Sequence, residues 1–204
     1  MILYVDREFS SPWAMAAFVA LREKGLPFEL QVLDLAQGEQ HQPDFARQSL
    51  TRRVPTLVDG DFSLSESTAI IEYLNDTQHG PDLLPRDPRD RARARQVQAW
   101  LRSDLAALRA ERSTEVVFFR PTDKPLTEAG QAAAAKLIAA ATELLGHNEN
   151  LFGAWSIADV DLMVMLNRLI LNGDPVPDAL KRYAARQWQR PSVQAWVSME
   201  RPAL

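Results

Sequence analysis

The first half of the chain combines short apolar runs, typical of strands, with one segment of helical spacing. Residues 2–5 (ILYV) form a strand-like run, residues 12–24 follow a helical pattern, and residues 28–33 alternate in polarity. A strand, a helix and a second strand predict a βαβ unit, whose two parallel strands are joined by a right-handed crossover.

A hairpin and another helix complete the pattern of this half. Residues 56–58 and 62–64 flank Asp59-Gly60, a dipeptide that favours a tight turn between antiparallel strands. The next segment has apolar side chains at helical spacing, and Ser63 or Ser65 is its predicted cap. The polar residues 34–53 leave room for one short helix, so the predicted order is β-α-β-α-β-β-α.

The second half predicts helices only. One helical face carries Val97, Leu101, Leu105 and Leu108, and further helices are predicted over 128–145, 157–171, 178–188 and 192–199. Residues 157–171 are apolar almost all round, which predicts a buried central helix, and Ser156 and Asp159 have capping-box spacing at its start. We therefore predict an α/β domain over 1–79, a Pro-rich linker over 80–88 and an all-α domain over 89–204.

Composition excludes several kinds of chemistry. The chain has no cysteine, which rules out disulfides, thiolate metal sites and a protein thiol nucleophile, and its three scattered histidines argue against a zinc site. The net charge of -4 argues against a general nucleic-acid binder. The longest apolar run, residues 13–21, is too short to span a bilayer, and no secretory signal is present, so we expect no membrane association and a cytoplasmic location.

Two serines stand between the first predicted strand and the first helix. Ser10 and Ser11 precede Pro12, a residue favoured at the first helical position. Free backbone N–H groups and the helix dipole favour an anion there, and a hydroxyl can donate a hydrogen bond to a bound thiolate. Either serine can equally be a plain helix cap, because serine caps are common.

Two further segments carry groups suited to a ligand. Pro55 opens a predicted strand, where a cis bond would leave the Val54 backbone free to pair with an extended ligand, although trans is the commoner form. Glu66 and Ser67 open a helix, where they can receive the ammonium and carboxylate of an amino-acid zwitterion, or act as a cap and a dipole-favoured acid.

Taken together, these segments resemble the cytosolic glutathione transferases, in particular the serine-type theta- and zeta-like bacterial members. Residues 52–74 (RRVPTLVDGDFSLSESTAIIEYL) are similar to the family signature K/R-V-P-x-L … L-x-E-S-x-A-I-x-x-Y-L, and residues 156–162 (SIADVDL) resemble its buried-helix motif. The resemblance covers almost the whole chain. It implies a thioredoxin-like first domain, an all-helical second domain, glutathione as co-substrate, and neither a tightly bound cofactor nor a metal.

The resemblance also implies roles for the glutathione-binding residues. Pro55 is expected to be cis, and Val54 to pair with the cysteinyl backbone of glutathione. Glu66 and Ser67 are expected to bind the γ-glutamyl ammonium and carboxylate. Arg53, or the arginine before it, either faces the glycyl carboxylate or forms a structural ion pair.

Two serines are candidates for the residue that activates the thiol. Counted back from Pro12, Ser10 matches the serine of Ser-Xaa-Pro classes, and Ser11 matches the cysteine of Cys-Pro classes. We favour Ser11 because it directly precedes the helix, and Tyr4 is a poorer match to the tyrosine-type enzymes. Pro12 stands where zeta-like isomerases have a cysteine, which argues against maleylacetoacetate isomerisation.

The implied activity is conjugation of the glutathione thiolate to small electrophiles, together with reduction of organic hydroperoxides, in a homodimer. A second-substrate pocket is expected between the domains, lined by Trp13, Leu108, Arg112 and Phe118, although such residues are more often core. The alternative is a non-catalytic binding or scaffold protein of the same fold, which has no reason to keep the pair at 66–67. Glutathione-dependent reduction of protein disulfides is disfavoured because the chain has no cysteine.

Overall fold

Two compact units make up residues 1–203, the part of the chain that the computed structural model describes. One unit comprises Met1–Leu83 together with the chain from Gln194 onward, and the other comprises Leu84–Val193. The boundary after Leu83 lies inside the predicted linker. The predicted extent of the helical domain, 89–204, differs from this division at its C-terminal end.

The C-terminal segment that begins at Gln194 belongs to the first unit because its Trp196 packs there. The fully buried Trp196 ring lies 5.5 Å from the ring of Phe9 and 5.3 Å from that of Phe18. An aromatic ring of this size buries more apolar surface than any neighbour in its short helix. The sequence pattern indicated the helix but not the surface against which it packs.

The first unit is a four-stranded mixed sheet with helices, as predicted. Its elements are β1 (Ile2–Asp6), α1 (Pro12–Glu23), β2 (Glu29–Leu33), a 3-10 turn (Glu39–His41), α2 (Pro43–Gln48), β3 (Thr56–Asp59), β4 (Phe62–Ser65) and α3 (Ser67–Thr77). The strand order is β2-β1-β3-β4, with β1 parallel to β2 and the other pairs antiparallel. Leu3 and Val5 are fully buried beneath α1, whose residues from Ala14 to Leu21 are also buried.

The second unit consists of helices, with α8 at its centre. Its elements are α4 (Pro88–Ser103), α5 (Ala106–Glu111), α6 (Thr114–Phe118), α7 (Glu128–Leu145), α8 (Ile157–Ile170), α9 (Asp178–Trp188) and α10 (Pro191–Val197), within which the chain returns to the first unit. Every residue of α8 from Ile157 to Leu169 is buried. Asp159 accepts the backbone N–H groups of Leu151 and Ser156, each at 2.9 Å, which confirms the predicted capping role.

Two details of the prediction are wrong. The expected helical face from Val97 to Leu108 is broken, because Asp104 accepts the N–H of Leu105 at 2.8 Å and Leu105 has a φ of 59°. Ser63 and Ser65 do not cap α3, since both lie in β4 and Glu66 is the cap residue.

Among the described residues, no helix is long and apolar enough to cross a membrane. Within the same 203 residues, no group of three or more His, Cys, Asp or Glu side chains is placed to hold a metal ion.

Candidate glutathione site

A buried carboxylate organises the loop between β1 and α1. Asp6, the last residue of β1, is only 2% exposed. Its Oδ2 accepts the Ser10 N–H at 2.7 Å and the Ser10 hydroxyl at 3.1 Å, and both of its oxygens lie 3.2 Å from the Ser11 nitrogen. Asp6 could not be predicted as a site residue, because an acid at a strand end carries no signal until its partners are known.

The two serine hydroxyls of this loop differ in their hydrogen bonds. Ser10 donates its hydroxyl hydrogen to Asp6. Ser11 is the cap of α1, and its Oγ accepts the Ala14 N–H at 3.2 Å. Within residues 1–203, the Ser11 hydroxyl has no acceptor for its own hydrogen. Of the two, Ser11 therefore keeps a hydrogen for an incoming anion at the N-terminus of a 12-residue helix.

Arg201 also holds this loop, and it was not among the predicted site residues either. Its guanidinium donates to the Phe9 carbonyl at 3.2 Å and to the carbonyls of Trp196 and Val197 at 3.1 and 2.7 Å. Burial lowers the pKa of Arg201, and the charge of Asp6 opposes that effect. A positive charge thus lies near the buried carboxylate, and no pattern in the sequence links positions 6 and 201.

The segment before β3 contains backbone groups that have no hydrogen-bond partner among the described residues. The peptide bond between Val54 and Pro55 is cis, and the Val54 N–H and C=O have no hydrogen bond to another described residue. The Arg53 carbonyl accepts the hydroxyl of Thr56 at 2.9 Å. Arg53 itself is exposed, and its guanidinium forms no ion pair within residues 1–203, so the structural ion pair considered above is not found.

The N-terminus of α3 carries the two other predicted glutathione contacts side by side. Glu66 is exposed and has φ 76° and ψ 112°, a conformation that costs a residue with a side chain about 1–3 kcal/mol. Ser67, the first residue of α3, is 1% exposed. Such strain tends to occur at binding sites, and the Glu66 side chain makes no capping hydrogen bond to α3.

Two residues predicted for the second-substrate pocket differ in exposure. Leu108 is fully buried, whereas a pocket wall needs a side chain that a ligand can reach. A leucine at helical spacing gives the same sequence signal in a core and in a pocket. Trp13, in the first turn of α1, is half-buried.

The other two pocket candidates are engaged in contacts of their own. Arg112 is 2% exposed, and its Nε and Nη2 donate to the two carboxylate oxygens of Asp174 at 2.6 and 2.9 Å. The Asp174 hydrogen bonds raise the pKa of Arg112, and those of Arg112 lower the pKa of Asp174. Phe118 is half-buried and stacks on Trp188, with the ring centroids 6.3 Å apart.

Comparison with known proteins identifies the family of the chain. The family descriptions "Glutathione S-transferase, N-terminal domain" and "Glutathione S-transferase, C-terminal domain" match residues 10–77 and 87–201. Glutathione S-transferase F10 of Arabidopsis thaliana is 32% identical over 154 residues, which are 71% of this chain and 70% of that protein. Glutathione S-transferase theta-3 of mouse is 38% identical over 104 residues, which are 50% of this chain but only 42% of that relative.

A solved structure supports the same relationship over nearly the full length. A glutathione transferase homologue from Burkholderia strain BGR1, crystallised with bound glutathione, is 46% identical and superposes with a TM-score of 0.78. The match covers 96% of this chain and 95% of the Burkholderia chain. The chain belongs to the glutathione S-transferase family.

Proposed function

We propose that this protein activates the thiol of glutathione and transfers the thiolate to small electrophiles. The observation that carries the proposal is the Ser11 hydroxyl, which caps α1 and keeps its own hydrogen for a further acceptor. A free thiol with a pKa of ~8.5 is only a few per cent ionised at neutral pH. A hydroxyl donor and a helix N-terminus both stabilise the thiolate and therefore lower the pKa of the thiol. Each unit by which that pKa falls corresponds to about 1.4 kcal/mol.

The two serines have different roles in this proposal. Ser11 donates its hydrogen bond to the glutathione sulfur. Ser10 acts as a positioning residue, because its backbone and hydroxyl both bind Asp6 and so fix the loop that presents Ser11.

Glutathione would lie along the segments described above. Its cysteinyl backbone pairs with the N–H and C=O of Val54, as an added strand would. Its γ-glutamyl carboxylate binds Ser67 and the start of α3, and its ammonium binds the exposed carboxylate of Glu66. Arg53, which is exposed and without an ion pair among the described residues, is available for the glycyl carboxylate.

The same thiolate suits two reactions. In conjugation, the sulfur attacks an electrophilic carbon and the leaving group departs with its electron pair. In hydroperoxide reduction, the sulfur attacks the terminal peroxide oxygen, an alcohol leaves after protonation, and a second glutathione converts the sulfenic acid to a disulfide with loss of water. Neither reaction needs a thiol from the protein, which has no cysteine.

We also propose a homodimer in the cytoplasm, as the family resemblance implies. Light scattering of the purified protein tests the dimer, and cell fractionation tests the location. A monomer at all concentrations would contradict the first proposal, and a membrane or extracellular fraction would contradict the second.

The central experiment compares Ser11→Ala with Ser10→Ala, using 1-chloro-2,4-dinitrobenzene and cumene hydroperoxide as second substrates. We expect Ser11→Ala to lower kcat/KM by about a hundredfold, as loss of one donor to a developing charge does, and to raise the pH midpoint of the rate. Ser10→Ala should reduce the rate far less and leave that midpoint unchanged.

Two further variants separate chemistry from folding. Ser11→Gly retains most of the capping stability, because glycine is tolerated at this position, but it lacks the hydroxyl. Ser103→Ala, at the exposed end of α4, serves as the matched control. If Ser11→Gly is as active as the control, the assignment is wrong. If the wild type binds immobilised glutathione but turns over neither substrate, the non-catalytic alternative is correct.

A further inference from the structure

Phe9 has a backbone conformation that residues with a side chain rarely adopt. Its φ is 46°, in the left-handed region, and it directly precedes the two serines of the candidate site. Such a conformation persists only where the surrounding contacts hold it. The contacts that hold Phe9 therefore also fix the chain just before Ser10 and Ser11.

The side chain of Phe9 packs against a buried tryptophan. The half-buried Phe9 ring meets the Trp196 ring edge to face, with 5.5 Å between the two centroids. Trp196 is fully buried and also packs against Phe18 of α1, with 5.3 Å between those centroids. Edge-to-face rings at this distance attract each other beyond the area that they bury. The Phe9 ring is thus anchored in the core of the first unit.

The carbonyl of Phe9 is bound by an arginine from the same segment as the tryptophan. The Nη2 of Arg201 donates to the carbonyls of Phe9 and Trp196, at 3.2 and 3.1 Å. Its Nη1 donates to the carbonyls of Val197 and Met199, at 2.7 and 2.9 Å. The rigid fork of a guanidinium allows one side chain to join several fixed acceptors. Arg201 therefore ties Phe9 to the end of α10, where the last helical carbonyls need partners.

Asp6 and Arg201 hold this loop from two directions. The Asp6 side chain accepts the N–H groups of both serines, and its backbone carbonyl accepts the Phe9 N–H at 3.0 Å. Arg201 holds the other end of the same residue, the Phe9 carbonyl. Burial lowers the pKa of Arg201, and the negative charge of Asp6 opposes that effect. The two charged groups that hold the loop therefore also attract each other.

The Trp196 ring and the Arg201 guanidinium together form a clamp on Phe9. We propose that this clamp positions the Ser11 hydroxyl for the glutathione thiol. The clamp holds Phe9 in its left-handed conformation, and the chain then enters α1 with Ser11 as the cap. Phe9 and Arg201 are thus positioning residues, which act through Ser11. The proposal rests on the thiol activation proposed above, and it makes that activation depend on a residue 192 positions after Phe9.

Loss of the clamp should change the thiol and not the binding of glutathione. The Ser11 hydroxyl would remain, but it would no longer be held toward the sulfur, so the bound thiol would ionise at a higher pH. Below its pKa, a thiol whose pKa rises by one unit loses about tenfold in thiolate. Val54, Glu66 and Ser67, which are proposed to bind the rest of glutathione, are not altered. The KM for glutathione should therefore change less than kcat.

Arg201→Met removes the donors to the Phe9 carbonyl. The pKa of the bound thiol is read from the ultraviolet absorbance of the thiolate in the glutathione complex, and kcat is measured with 1-chloro-2,4-dinitrobenzene over the same pH range. We expect that pKa to rise by about one unit and kcat at neutral pH to fall about tenfold. The rate should recover above the new pKa, which a loss of folded protein would not allow. Arg182→Met, at an exposed position of α9, is the matched control and should behave as the wild type.

A pair of substitutions at Phe9 tests the conformation itself. Phe9→Ala removes the ring that packs on Trp196 but keeps a side chain where φ is 46°. Phe9→Gly removes the same ring, yet glycine adopts this φ without a steric penalty. We therefore expect Phe9→Ala to raise the pKa of the bound thiol as much as Arg201→Met does, and Phe9→Gly to raise it clearly less.

Two results would overturn the clamp alone. One is a bound thiol in Arg201→Met with the same pKa as in the wild type, whether or not Tm falls, because the arginine would then serve only the fold. The other is an equal pKa in Phe9→Ala and Phe9→Gly, because the φ of Phe9 would then not be what the clamp holds. A thiol that keeps its ordinary pKa of about 8.5 when bound to the wild type would be a different failure. It would overturn the activation by Ser11, and the clamp with it.

Discussion

Replacing Asp6 removes the carboxylate that holds the loop between β1 and α1. In Asp6→Ala, the N–H groups of Ser10 and Ser11 and the Ser10 hydroxyl all lose their acceptor. In Asp6→Asn, one oxygen remains, and all three donors lie within 3.2 Å of the Oδ2 position that it can occupy. The pair of variants thus separates loss of the acceptor from loss of the charge.

The expected loss of stability follows from the number of these hydrogen bonds and from how exposed they are to water. The bond at 2.7 Å from the Ser10 N–H to a carboxylate is short, and such charge-assisted bonds contribute about 1.5–3 kcal/mol. The serines are half-buried, so water can partly replace the other two bonds. We expect Asp6→Ala to cost about 3 kcal/mol, or about 6–12 °C in Tm for a chain of this size, and Asp6→Asn to cost about 1 kcal/mol.

The assay combines calorimetric unfolding with conjugation kinetics. Asp6→Ala should lower kcat/KM at temperatures well below its Tm, since Ser11 is no longer held over the helix N-terminus. Glu29→Ala, an exposed acid on β2, is the control and should change neither quantity. A fall in Tm of less than about 2 °C for Asp6→Ala would refute the reasoning, because it would mean that water replaces all three bonds.

Two further predictions concern the second unit. Asp159→Ala removes the acceptor of two backbone N–H groups and of the Tyr183 hydroxyl. We expect the free energy of unfolding, measured from the urea midpoint, to fall by about 4 kcal/mol. A fall of less than about 1 kcal/mol would contradict this prediction. Arg112 hydrogen bonds hold the pKa of Asp174 below its ordinary 3.8, so the pair should contribute stability above about pH 4 that is lost as the pH falls through the lower folded-state pKa. Arg112→Met should remove that acid-dependent loss, and identical urea midpoints against pH in both proteins would contradict the assignment.

Most elements of the fold could be predicted because their patterns are local. The helix at Glu128–Leu145 and the hairpin around Asp59-Gly60 follow from spacing and turn chemistry within a few residues. The break before Leu105 could not be predicted in the same way, because it depends on one side-chain bond that competes with the helix. The placement of Trp196 depends on rings far away in the chain, to which no local pattern refers.

In the candidate site, the choice between the two serines could not be predicted from local patterns either, because it depends on single hydrogen atoms. The sequence places Ser10 and Ser11 at a helix N-terminus, where either hydroxyl can serve a thiolate. What distinguishes them is where each hydroxyl hydrogen goes, and this is decided by the orientation of Asp6 at the end of the preceding strand. Because Asp6 accepts the Ser10 hydroxyl hydrogen, Ser10 is no longer a candidate donor. Because Asp6 also accepts the Ser11 N–H, it holds Ser11 in place. The choice between two adjacent serines is therefore a property of a third residue, and Asp6→Ala, which removes the acceptor of the Ser10 hydroxyl hydrogen, should narrow the functional difference between them.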